Sequence, residues 1–217
     1  MSEYTLKRVK TPPTFELRVD GRVLGYVERI GKGMWTECYR PVEHEQVDTR
    51  VYLVTHDEDP SKEILANCDE NPHLPNLVRL GNMGDAYVWQ GDYTPRLTAK
   101  DKEAWADYKA LKRAWGATQA AGFERRPGYA RWSWGYDAMR FLAEHYRSNG
   151  GRPELVDALV ELVDQSVNYG STWMFEFAPR NLGVGLQGQL VLLDPIFNME
   201  TIGRKVEESR KRAGRGY

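Results

Sequence analysis

The stretch Met174-Phe175-Glu176-Phe177-Ala178-Pro179-Arg180-Asn181, followed shortly by Gln189-Leu190-Val191-Leu192-Leu193-Asp194, decides how this chain is read. Leu190, Val191, Leu192 and Leu193 form a continuous apolar run, the pattern of a strand packed on both faces. The run stops abruptly at Asp194-Pro195. A carboxylate emerging from the end of a buried strand needs a reason, because a buried charge is costly unless it is paired. Glu176 and Asn181 are five residues apart, Pro179 stands two before Asn181, and Asp194 follows thirteen after it.

Working outward, the segment before this stretch is helical. Pro153 suits a helix start, Leu155, Leu159, Leu162, Val163 and Val167 form an apolar stripe, and Gly170 supplies a stop. Residues 137–147 predict a second helix. Thr98 with Asp101 three residues on has a capping-box spacing, and Trp105, Tyr108, Leu111 and Trp115 continue one face. The first ninety residues read instead as a sheet with one helix. Phe15-Glu16-Leu17-Arg18-Val19 alternates up to Asp20-Gly21, a hairpin signal, and residues 22–30 resume as a second strand. Gly31-Lys32-Gly33 interrupts it, 35–39 continue the ribbon, and 50–55 form a strand of β-branched and aromatic residues. Ser61 is a candidate N-cap for a short helix carrying Ile64 and Leu65. Residues 76–80 and 86–90 are two further strands.

Composition fits this globular reading: 41% hydrophobic and 28% charged residues over 217 positions exclude a disordered chain and allow one large core or two small lobes. No apolar run reaches the roughly 20 residues of a spanning helix, and MSEYTLKRVK lacks a signal-peptide core, so a cytoplasmic protein with no membrane partner is expected. Cys38 and Cys68 show no metal-ligand spacing, and neither do the four histidines. With a net charge of -1 no global field draws the chain to nucleic acid, and no nucleic-acid partner is expected. The exception is the tail 199–217, with six Lys/Arg against three Glu. An aromatic group, Tyr129, Trp132, Trp134 and Tyr136, reads as packing against the helical part, with a stacking platform as the alternative.

The spacing of Glu176, Pro179, Asn181 and Asp194 resembles the catalytic loop and metal-binding strand of protein kinases. There, an Asp is followed five residues later by Asn, and a short hairpin then delivers a second Asp. More narrowly, Val51-Tyr52-Leu53-Val54, Ser61-Lys62-Glu63, Trp105-Ala106-Asp107-Tyr108-Lys109-Ala110-Leu111, Asn168-Tyr169-Gly170, Phe175-Glu176, Pro179-Arg180-Asn181 and Leu190-Val191-Leu192-Leu193-Asp194 look like the small kinase-like proteins of tailed bacteriophages. These are early host-takeover proteins described as serine/threonine kinases. The resemblance spans residues 30–194 and is sharpest over 169–194.

The resemblance implies an α+β, bilobal protein-kinase-like fold: residues 1–92 as an antiparallel sheet lobe with one helix, 93–198 as a truncated helical lobe, and 199–217 as a basic tail. It implies ATP and Mg2+ as cofactors, with Asn181 and Asp194 as metal ligands and Glu176 as the base that orients the attacking hydroxyl. Gly31, Lys32 and Gly33 stand for the glycine-rich phosphate loop, and Trp89, Gln90 and Gly91 for the hinge that holds the adenine. Host bacterial proteins in the infected cytoplasm are the expected targets, as substrates or as inhibited enzymes.

Three departures accompany it. Val54 stands where the third strand should carry a phosphate-pairing lysine; Lys62 is the first replacement candidate and Lys32 the second, with Glu63 as a pairing acid. Glu176 replaces Asp, on a stem one methylene longer. Pro195-Ile196 replaces Phe-Gly, with 23 residues following Asp194. The alternative function is therefore a catalytically weak, pseudokinase-like protein that binds and inhibits a host enzyme or defence factor.

Overall fold

A computed structural model describes residues 14–33, 36–42, 49–56, 60–123, 135–170 and 173–198, together with 200, 203, 204 and 207. These residues form a mixed α+β fold. The chain divides into two compact units, Met1–Asp57 with Leu80–Gln90, and Glu58–Arg79 with Gly91–Tyr217. A single cut at residue 92 does not describe this division. Residues 58–79, first helix included, go with the helical part because that helix turns Ile64 and Leu65, 0% and 2% exposed, toward its neighbours there.

The first unit is built on a six-stranded sheet in the order β1-β2-β3-β4-β6-β5, with β1 Thr14–Val19, β2 Arg22–Lys32, β3 Thr36–Pro41, β4 Arg50–His56, β5 Val78–Met83 and β6 Ala86–Asp92. Strands β1 to β4 pair antiparallel. Val19 faces Arg22, leaving Asp20-Gly21 as a two-residue turn with φ of 48° and 77°. Positive φ at both central residues is what a turn matched to the strands' twist requires. The Asp20 carboxylate also accepts the Asn82 N–H, and the Asp20 N–H donates to the Asn82 carbonyl. Leu17, Val19, Val27, Tyr52, Val54, Ala86 and Val88 make the core of this unit. Gly31 and Lys32 do not break β2, which runs through both to pair with β3.

In the second unit α1 Ser61–Ala66 packs on α4 Pro153–Val167, and α3 Tyr136–Ser148 packs between α4 and α2 Lys102–Ala120. Pro60, not Ser61, is the residue before the first turn, and Ser61 is buried inside it. Helix α2 starts after Asp101, later than a Thr98 cap implies, because the Asp101 carboxylate reaches back to the Thr98 N–H and hydroxyl. Leu155, Leu159, Leu162 and Val163 are buried as the stripe requires, whereas Val167 at the last turn is 47% exposed. The Tyr136 hydroxyl donates to carbonyls of Ser166 and Gly170, tying the start of α3 to the end of α4. Tyr129, Trp132 and Trp134, and most of the basic tail, lie outside the described residues. Among the described residues no helix is long and apolar enough to cross a membrane.

Four short strands complete this unit. β7 Trp173–Phe175 pairs antiparallel with β10 Ile196–Asn198, and β8 Leu182–Val184 with β9 Leu190–Leu192. Residues 95–97 run beside β8, and Gly183 is required there: a Cβ would lie 2.5 Å from Thr94 and 2.9 Å from the Pro95 carbonyl.

Candidate active site

Strand β7 is wholly buried and ends at Phe175, so the loop that begins with Glu176 leaves the core at a fixed point. Pro179–Asn181 form one 3-10 turn, for which proline at the first position is pre-set. The turn returns the chain to Glu176. Its carboxylate, 7% exposed as a residue, accepts from the Asn181 side-chain amide at 3.3 Å and from the Arg180 guanidinium.

The same loop is stitched to the strand that delivers Asp194. The Asn181 carbonyl accepts the N–H groups of Leu193 at 2.9 Å and Asp194 at 3.3 Å, and the Glu176 N–H donates to the Pro195 carbonyl at 2.7 Å. Glu176, Asn181 and Asp194 are thus joined by backbone bonds that do not depend on side-chain rotamers. Burial of β9 explains why Asp194 has one position: Leu190 and Leu192 are fully buried, and the apolar run stops where the chain surfaces.

Lys62 completes the group. Its ammonium lies 2.7 Å from Asp194 Oδ1, across 132 residues of sequence, with the lysine side chain 4% and the aspartate 52% exposed. A buried ammonium is stable only with a partner. Its partner is Asp194, not Glu63, which is exposed on the outer side of α1. Lys32, the other replacement cation, pairs with Glu37 at 3.0 Å in the β2–β3 ribbon. Val54 is 0% exposed and packs in the core of the sheet.

Two residues of the site carry weak or no sequence signals. Arg180 stands four residues after Glu176, an ion-pair spacing visible in the sequence. His73 has no such signal, since its partner is a backbone carbonyl 117 residues away. Its Nδ1 lies 2.6 Å from the Leu190 carbonyl, and its own carbonyl accepts the Leu192 N–H at 2.9 Å, so His73 brackets β9. Burial holds the imidazole below its ordinary pKa, and a carbonyl partner makes Nδ1 the donor.

The remaining candidates sit differently. Gly31 and Gly33 have room for a Cβ, with nearest atoms at 3.5 and 3.4 Å, so nothing in the ribbon demands glycine at either place. Trp89 is buried at 4%, Gln90 is half-buried, and Gly91 closes on Leu77, where a Cβ would come within 2.8 Å of Cδ2. Packing therefore accounts for Gly91. A cleft of 570 Å³ lined by Leu65, Asn71, Leu77, Tyr93 and Gln189 contains none of Lys62, Glu176, Asn181 and Asp194.

As a donor set, Asn181 and the half-exposed Asp194 offer one amide oxygen and one carboxylate. That suits a small hard cation, which takes one or two carboxylates and completes its shell from water and phosphate. Among the described residues no three His, Cys, Asp or Glu side chains cluster to hold a metal unaided. No family model matches the chain, and no curated protein is similar to it at a significant level.

Proposed function

We propose that the protein is a divergent phosphotransferase with a bilobal protein-kinase-like fold, using ATP and Mg2+ to modify Ser or Thr hydroxyls of proteins. The observation that carries this reading is the Lys62–Asp194 pair. It sets a buried cation against a carboxylate that is backbone-bonded to the Asn181 and Glu176 loop. A cation, two oxygen donors and a second carboxylate are the parts phosphoryl transfer needs. The bound nucleotide and its metal would supply the phosphoryl group and the divalent charge that offsets it.

Asn181 and Asp194 would hold the cation, and Lys62 would steady Asp194 and add positive charge beside it. Glu176 would orient the acceptor hydroxyl and take its proton as the oxygen attacks. Arg180 and the Asn181 amide keep the Glu176 carboxylate in one place meanwhile. The resemblance to kinase-like phage proteins makes host bacterial proteins the proposed targets. Incubation with labelled ATP and Mg2+ should label the protein itself or a host protein, and Asp194→Ala should abolish the label.

A second reading is a kinase-like binder that inhibits a host enzyme or defence factor without turnover. The Arg180–Glu176 ion pair and the absence of any steric need for Gly31 and Gly33 favour it. Under that reading Asp194→Ala leaves capture of the partner unchanged.

A further inference from the structure

Beside the loop that carries Glu176 and Asn181 lies a small apolar pocket of about 70 Å³. Its floor is Leu111 and Trp115 of α2 with Phe177 and Ala178 of the loop, all under a tenth exposed. Phe177 meets Trp115 edge to face at 5.5 Å, which fixes the wall on that side. The rim is Tyr108, half-buried, with exposed Lys112 and Pro179. Lys112 makes no ion pair among the described residues.

We propose that this pocket recognises an aliphatic side chain of the protein substrate next to an acidic residue, close in sequence to the acceptor hydroxyl. The inference rests on the phosphotransferase reading of the loop and adds the substrate class to it. Distance sets the sequence position. Pro179 is three residues from Glu176, a span of at most roughly 10 Å, and an extended substrate covers the same reach in three residues. The aliphatic residue therefore lies within three positions of the acceptor Ser or Thr. Size and polarity select it: the cavity admits a Val or Leu side chain, and its floor offers no charged partner. The unpaired ammonium of Lys112 at the rim selects a carboxylate on the neighbouring residue, and rim charges of this kind set specificity more than total affinity.

The test is direct binding of fluorescent Ser-containing peptides to the full chain, without nucleotide, followed by phosphate transfer to the same peptides. Peptides with Leu near the Ser should bind roughly tenfold or more tighter than those with Asp in its place, the range expected for burying one aliphatic side chain. Lys112→Glu should invert the preference for an acidic over a basic neighbour, and Tyr108→Ala should weaken the Leu preference. Peptide binding without sequence preference, no peptide binding at all, or a preference unmoved by either variant overturns the pocket assignment. Peptides that bind with this preference yet accept no phosphate leave the pocket standing and remove the phosphotransferase reading. Transfer to proteins without the preference does the reverse.

Discussion

Lys62 and Asp194 are unequal partners, and the inequality is measurable. Asp194 is half-exposed and recovers solvent if Lys62 is lost, whereas Lys62 is 4% exposed and has no such recourse. Asp194→Ala should therefore cost more than Lys62→Met in denaturant unfolding, between the about 1 kcal/mol of an exposed pair and the about 3 kcal/mol of a buried one, because the lysine is buried and the aspartate is not. Equal costs would mean that the pair is solvated. Glu176 offers a second test, because its stem is one methylene longer than that of the Asp it replaces in the kinase pattern. If the loop is shaped around Glu, Glu176→Asp should lower phosphate transfer by roughly a hundredfold for about 1 Å of displacement. Unchanged transfer would show that the carboxylate position is not critical. Glu176, Asn181 and Asp194, singled out by their spacing, and Lys62, singled out as a replacement cation, lie together in the structure. The sequence could not display His73, whose role is a hydrogen bond to a distant backbone carbonyl.

Among the elements, the β2–β3 ribbon carries a titratable group whose pKa is displaced, and strand β9 is bracketed by another, His73. The Tyr39 hydroxyl donates to Glu37, and Lys32 and Arg29 lie beside it, which brings the Glu37 carboxyl down to about 2. A depressed carboxylate contributes stability that is complete above its ordinary value of 4.5 and lost as pH falls toward 2. Glu37→Gln should flatten the urea midpoint over that window; a midpoint that still falls as steeply there would assign the acid limb elsewhere. His73 is also depressed, by burial, so its contribution is complete above its ordinary value of 6.5 and shrinks as the pH drops below it. The protection factor of the Leu192 amide, which donates to the His73 carbonyl, taken against its intrinsic exchange rate at each pH, should fall as the pH is lowered from 7 to 5; a constant protection factor would show that the ring does not hold the strand. Elements with a local signature were legible: the Asp20-Gly21 turn and the stripe of α4. Strands β7 and β10 were not, since each is three residues long and their pairing joins segments separated along the chain by the whole loop and hairpin of residues 176–195.

For the molecule as a whole, composition and periodicity led to an α+β chain with a sheet part and a helical part, and the structure has both. They could not assign residues 58–79, because a six-residue helix is too short to show which neighbours it packs on; burial of Lys62, Ile64 and Leu65 decides it. A cofactor binding the native state alone should stabilise the whole chain. With Mg2+ and ATP at about a hundred times the dissociation constant the gain is about 2.7 kcal/mol, a rise in Tm of roughly 5–10 °C for a chain of this size. The most direct test of the central claim is transfer of labelled phosphate from ATP, with Mg2+, to Ser or Thr in a host lysate by wild type, Glu176→Gln and Asp194→Ala. Labelling by wild type that falls at least a hundredfold in Glu176→Gln and vanishes in Asp194→Ala is the predicted result. No labelling by wild type, or equal labelling by all three, would contradict it.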